Sequence, residues 1–158
     1  MRSSWLAVVA VVGLLLPVLA DDAAKGTKIE LKSFSFKVPK EQAELFGFNE
    51  GEDKLFFYAG GTAEVKSKVA DEGEYEIVIK ASSDKALNEG GKFKLTVNGN
   101  AVGKETETAD GDPKEYKFTT TLKAGEVTLA IEFTNDAYKE NEYDRNLYVQ
   151  AVTIKKVK

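Results

Sequence analysis

The chain has 158 residues, 22 Lys and Arg against 26 Asp and Glu, a net charge of −4 at pH 7, and neither His nor Cys. The acidic balance argues against nucleic acid and anionic membranes as partners. Without His and Cys there are no Ser-His or Cys-His nucleophiles, no imidazole bases, no ordinary zinc sites and no disulfide staples, which leaves carboxylate chemistry: acid/base pairs, or hard cations such as Ca²⁺.

The N-terminal stretch MRSSWLAVVAVVGLLLPVLA has a positive start at Arg2, an apolar run from about Trp5 to Leu16, and the small-residue ending Val18-Leu19-Ala20. This is the pattern of a secretory signal peptide over residues 1–20, cleaved after Ala20, and it predicts a secreted or periplasmic protein with no membrane insertion after cleavage. No Cys follows, so lipid anchoring through a cysteine is excluded. Cleavage removes Arg2 and leaves 138 residues with a net charge of −5. That length suits one domain with a real core. Residues 21–27 are polar and small and predict a flexible leader, with a single domain over residues 28–158.

Strand patterns dominate the rest of the chain. Lys28 to Val38 holds a strand with a change of phase near Ser33. Lys40 to Phe48 is either a helical turn or a loop. Lys54 to Ala59 and Thr62 to Val69 are two strands around Gly60-Gly61. Clear period-two alternation then appears: Tyr75, Ile77, Ile79 and Ala81; Phe93, Leu95 and Val97; Tyr116, Phe118, Thr120 and Leu122; Val127, Leu129, Ile131 and Phe133. Each set is one buried face of an antiparallel strand. Turn signals at Glu72-Gly73, Gly90-Gly91, Asn98-Gly99, Asp110 to Pro113 and Ala124-Gly125 separate them. Together they predict an all-β antiparallel sandwich (a jelly roll) of eight or nine strands in two sheets.

The last connection, Thr134 to Arg145, is long for a tight hairpin and rich in acids: Asp136, Glu140, Glu142 and Asp144, with Tyr138 and Tyr143 among them. The flanking strands are expected to pair, which would bring Asp136 and Asp144 together at the mouth of one hairpin. Two carboxylates held together raise each other's pKa unless a positive group intervenes. A divalent cation or Arg145 can be that group. Spacing alone leaves three readings open: a solvated polar loop, a cation site, or an acid/base pair for glycoside hydrolysis.

The segment IEFTNDAYKENEYDRNLYV resembles the C-terminal signature of calcium-dependent xylan-binding carbohydrate-binding modules. There a strand ends in Phe-Thr-Asn-Asp, a short loop follows, and Asp-Arg-Asn-Leu opens the last strand. Phe133, Thr134, Asn135, Asp136, Asp144, Arg145, Asn146, Leu147 and Val149 match it. GEYEIVIKAS, KLTVNGNAVG and LKAGEVTLAIEF agree in outline, so the resemblance runs from about Lys54 to Lys158. It implies a stand-alone secreted module without catalysis, holding Ca²⁺ through Asp136, Asp144 and the backbone carbonyl of Tyr143. Vicinal hydroxyls of a polysaccharide or cell-surface glycan, xylan-like in the first instance, would complete the ion. Tyr138 and Tyr143 are the expected sugar-stacking rings, and Tyr58 is expected in the core. Arg145 and Asn146 either touch the sugar or hold the loop together. The charged stretch Ala137 to Tyr143 raises one alternative: a structural or protein-interaction sandwich whose Ca²⁺ only pins the 134–145 hairpin, with Lys139 closing over the ion.

Overall fold

The computed structural model describes residues 26–158. The signal-peptide assignment of residues 1–20 and residues 21–25 of the expected leader lie outside the described residues.

Strands are numbered along the chain. β1 (Thr27–Ile29), β3 (Phe46–Asn49), β4 (Lys54–Phe57), β6 (Gly73–Ser83), β9 (Lys114–Leu122) and β13 (Leu147–Lys156) form one antiparallel sheet. β2 (Ser35–Lys37), β5 (Gly61–Val69), β7 (Lys92–Val97), β8 (Asn100–Glu107) and β10 (Gly125–Phe133) form the other. The order is β3-β4-β13-β6-β9 in the first sheet and β2-β5-β10-β7-β8 in the second. β11 (Ala137–Lys139) and β12 (Tyr143–Arg145) pair only with each other. The architecture is the expected β-sandwich.

The core lies between the sheets and is built from the alternating faces read in the sequence. Ile77, Ile79, Phe93, Leu95, Leu129, Ile131 and Phe133 are all buried. β13 keeps its inward face by a break in register between Val149 and Ala151. Leu147 and Val149 before the break, and Val152 and Ile154 after it, all point inward. A strict alternation would have sent one of these pairs to solvent; the bulge at Gln150 avoids that. The Asn98-Gly99 turn between β7 and β8 has φ of 51° and 78°, the left-handed conformation these residues tolerate in a tight hairpin.

Some details differ from expectation. The strands flanking the 134–145 connection do not pair: β10 and β13 lie in opposite sheets, and the short β11–β12 ladder brings Asp136 and Asp144 together instead. The strand count exceeds eight or nine because three- and four-residue edge strands carry too few residues to show a period. The change of phase near Ser33 is a 3₁₀ turn, Leu31–Ser33, that carries the chain from the first sheet at β1 to the second at β2. Lys40–Leu45 takes the helical-turn alternative, also as 3₁₀, and leads directly into β3. Regular structure begins one residue earlier than predicted, because Thr27 pairs with Ile154. β1 and β4 share one edge of β13: β4 pairs with Leu147 to Val149 and β1 with Val152 to Ile154.

Phe133 closes the core beneath the end of β10 and is 2% exposed. Phe133→Ala is expected to destabilise the fold by about 3–5 kcal/mol. Urea denaturation of both proteins measures it as a lowered midpoint with an unchanged slope.

Candidate functional site

One end of the sandwich collects the C-terminal ends of β4, β6 and β10 and the starts of β5, β7 and β13. Past Phe133 the chain stays bound to β7. The Thr134 backbone N–H donates to the Lys92 carbonyl at 3.0 Å, and its hydroxyl donates to the same oxygen at 3.2 Å. The Asn135 side chain accepts from the Lys92 N–H and donates to the Gly90 carbonyl at 3.0 Å. Both side chains are consumed in this docking, so Asp136 carries the first carboxylate free to turn outward. β11 and β12 then pair Ala137 with Arg145, Tyr138 with Asp144 and Lys139 with Tyr143. That register returns Asp144 to the neighbourhood of Asp136.

Arg145 is buried at 3% exposure. Its Nε donates to the Glu89 carbonyl at 3.1 Å, Nη2 to the Ala86 carbonyl at 2.5 Å, and Nη1 to the Asn135 carbonyl. The Glu89 carboxylate lies 3.6 Å from Nη2. The guanidinium thus fastens the hairpin to the loop between β6 and β7. It joins three backbone carbonyls and one carboxylate, that of Glu89, and at this burial it holds the loop together and is not open to a sugar as the ligand-binding expectation had it.

Above it lies an open recess of about 600 Å³. Asp136, Tyr138, Asp144, Asn146 and Tyr148 line it from the hairpin and β13, and Leu45, Tyr58 and Ala59 from the facing loop. Tyr58 is not a core residue. Leu55 and Phe57 take the inward positions of β4, and two-residue alternation leaves Phe56 and Tyr58 outside, Tyr58 being 42% exposed. The Tyr58 and Tyr148 rings meet edge to face at 6.4 Å, and the Lys54 ammonium sits 4.2 Å from the Tyr148 ring centre. Tyr138 is 65% exposed at the rim. The Tyr143 side chain does not line this recess. It lies in an adjoining shallow depression with Lys139, Asn141 and Glu142, which shares Tyr138 and Asp144 with the recess. Its stacking role is therefore corrected, whereas its carbonyl is unaffected by where the ring points. Lys139 does not cover the recess: its ammonium is 2.5 Å from the Glu142 carboxylate on the outer tip. Neither Glu140 nor Glu142 lines the recess.

Another depression of about 510 Å³ lies among Lys28, Glu30, Leu31, Lys32, Phe48 and Asp53. Its charges are already compensated by the pairs Lys28–Asp53 at 3.6 Å and Lys32–Glu30 at 3.4 Å.

The recess, by contrast, carries uncompensated negative charge. Asp136 is exposed as a residue, yet partial desolvation of its carboxyl pushes its pKa up, and the neighbouring Asp144 charge adds to this. The Gly60 and Ala137 N–H groups and Arg145 oppose the shift without cancelling it. Tyr148 is also pushed up, by burial and by its hydrogen bond to Asp84, so its hydroxyl stays protonated and donates. Asn146 is 7% exposed, and its Oδ1 has no hydrogen-bond partner. Two carboxylates and an orphaned amide oxygen around one recess fit a hard cation. Among the described residues no three His, Cys, Asp or Glu side chains cluster as ligands. An ion here would thus need neutral oxygens as well, and Ca²⁺ accepts carbonyls, water and hydroxyls in irregular geometry.

Comparison with known proteins agrees. Residues 76–158 match the model of CBM60, the Ca-dependent, xylan-binding carbohydrate-binding modules. The chain belongs to this family. The CBM60 match runs from β6 to the C-terminus and contains every recess residue except Leu45, Tyr58 and Ala59. As a CBM60 module the chain binds carbohydrate in a Ca²⁺-dependent manner. Solved structures share the fold. The CBM36-1 domain of a multidomain xylanase from the hindgut metagenome of Trinervitermes trinervoides aligns with a TM-score of 0.63 at 13% identity, over 84% of this chain and 98% of that one. A CBM36 module in complex with calcium and xylotriose aligns at 0.56 and 18% identity, over 81% and 98%. The mannan-binding module from Man5C aligns at 0.58 and 19%, over 84% and 99%. No curated protein matches the chain.

Because its folded pKa is raised, Asp136 opposes folding of the calcium-free module at pH above its ordinary range. That penalty is relieved as pH falls through the raised value. Asp136→Asn removes it at all pH values. The substitution is expected to stabilise the calcium-free protein at neutral pH, by less than about 1 kcal/mol because the residue is exposed and screened, and so to raise its melting temperature slightly. It should also abolish the further rise that calcium produces. Thermal melts in chelator and in excess calcium measure both.

Proposed function

We propose that the recess at the end of the sandwich binds a xylan-like polysaccharide through a Ca²⁺ held by the carboxylates of Asp136 and Asp144 and the backbone carbonyl of Tyr143. The observation that carries this is the convergence of the two aspartates on an open recess walled by Tyr58, Tyr138 and Tyr148. The bound ion supplies positions that adjacent sugar hydroxyls fill as a chelate. The chain's residues do the rest. Asp136 and Asp144 concentrate negative charge where the ion sits. Tyr58 and Tyr148, braced edge to face, present ring surface to the apolar face of a sugar. Tyr138 extends that surface at the rim. Lys139, paired with Glu142, stays clear of the opening.

The module works without catalysis in this reading. Both carboxylates belong to one short connection on one side of the recess, whereas a glycosidase pair flanks the scissile bond from two sides. The structure of a related module in complex with calcium and xylotriose supports the choice of ligand. The N-terminal pattern around Arg2 and the following apolar run supports export with cleavage after Ala20, and with it a location outside the cytoplasm, where polysaccharide is met.

Retention on insoluble xylan is expected to vanish in chelator and return with added calcium. Asp136→Ala and Asp144→Ala should each weaken it by more than about 100-fold, beyond what losing an outer-sphere partner costs a metal site. Retention that survives chelation would overturn the proposal. A calcium-dependent rise in melting temperature with no binding across a glycan array would mean that the ion only pins the hairpin.

A further inference from the structure

We propose that Asn146 contributes a third side-chain oxygen to the calcium ion, and that Asp84, assisted by Tyr148, is the positioning residue that turns this oxygen toward the recess. The inference rests on the recess being the calcium site and adds two residues to it.

Asn146 and Asp84 are 62 positions apart and doubly joined. The Asp84 N–H donates to the Asn146 carbonyl at 3.1 Å, and the Asn146 Nδ2 donates to the Asp84 Oδ2 at 3.0 Å. The Tyr148 hydroxyl donates to the same Oδ2 at 2.6 Å. An ionised carboxylate has no hydrogen to give. Whatever Asn146 presents to Asp84 must therefore be its NH₂, and the opposite end of the planar amide must be its oxygen. The hydroxyl donor from Tyr148 keeps Asp84 in this acceptor role. The amide orientation is dictated by chemistry.

The oxygen at that end is itself buried and has no hydrogen-bond partner among the described residues, and the residue that carries it lines the recess close to Asp144 in sequence. A buried acceptor left unpaired costs about 1–3 kcal/mol, and native proteins keep such groups where something outside the chain completes them. A hard cation takes amide oxygens readily. The residue type also fits the local charge. A third carboxylate at position 146 would add to the repulsion between Asp136 and Asp144 and would face Asp84 as well. A neutral oxygen adds a ligand with neither penalty.

Calorimetric titration of the whole protein with CaCl₂, without sugar, tests this. Asn146→Ala is expected to weaken calcium binding by about 10- to 100-fold, and Asp84→Ala by about 10-fold. The exchange Asp84→Asn with Asn146→Asp reverses donor and acceptor. The amide introduced at position 84 then donates to the carboxylate introduced at position 146, whose second oxygen takes the place of the Asn146 Oδ1. Calcium affinity should therefore recover to at least the wild-type level. A merely structural role for Asp84 would not be rescued in this way. Unchanged calcium affinity in Asn146→Ala overturns the ligand assignment. An exchange variant that binds no better than Asp84→Ala overturns the positioning role, and decides the matter alone if Asn146→Ala fails to fold by circular dichroism. Calcium affinity intact but xylan binding lost in Asn146→Ala would make the oxygen an acceptor for a sugar hydroxyl, which also overturns the proposal. Asp136→Ala is the reference. If it too binds calcium normally, the recess is not the calcium site, and the failure belongs to the proposed function and not to Asn146.

Discussion

The binding end of this module depends on one buried guanidinium. Arg145 reaches three backbone carbonyls, those of Ala86, Glu89 and Asn135, which belong to two different connections of the sandwich. Ala86 and Glu89 also exchange backbone hydrogen bonds with each other, so the fork ties the carbonyls of an already closed turn to the Asn135 carbonyl at the start of the hairpin. Arginine suits the task because its planar fork offers five donors and never loses its charge. Once the fork is in place, the residues on either side of it have no freedom left. Asp144 must face the recess and Asn146 must face Asp84. The alternation Asp-Arg-Asn sets two recess-lining residues on either side of one buried fastener.

The second organising constraint is electrostatic. Asp136 and Asp144 are held close enough for each to be felt by the other, and the protein does not neutralise them from within. The nearest cation, Arg145, is committed beneath them to carbonyls, while Lys139 and Lys54 are engaged with Glu142 and with the Tyr148 ring. With its lysines tied elsewhere, the recess keeps its negative charge, which is the basis on which the cation is proposed to sit there. The aromatic wall is kept independent of that charge. Tyr58 comes from the connection between β4 and β5, Tyr148 from β13, and their edge-to-face contact fixes two rings from distant parts of the chain.

Local features of this architecture are legible in the sequence, and long-range ones are not. Period-two patterns over Tyr75 to Ala81 and Val127 to Phe133 state the core faces correctly, because long strands repeat their signal several times. Three-residue strands such as Ser35–Lys37 repeat it hardly at all, and so escape counting. The two halves of the site, Thr134 to Asp136 and Asp144 to Asn146, stand out because they flank one connection. Asp84 does not. Its partners are 62 and 64 positions away, and nothing in Ser83-Asp84-Lys85 marks it as different from any acidic turn residue. Tyr58 is misplaced for a different reason. In the run Leu55-Phe56-Phe57-Tyr58 every residue is apolar or aromatic, so composition conceals the alternation that sends Tyr58 outward. Arg145 reads as an internal counter-ion candidate, but carbonyl partners leave no trace in side-chain identity.

β13 begins at the recess with Leu147 and Tyr148 and ends at the opposite pole, where β1 lies beside it. Its full length is paired to β6. A polymer gripped at the first end and an attachment at the other would therefore pull along the strand axis. Tension in that direction loads the ladder in shear, with all its rungs strained together, rather than opening them one at a time from an end.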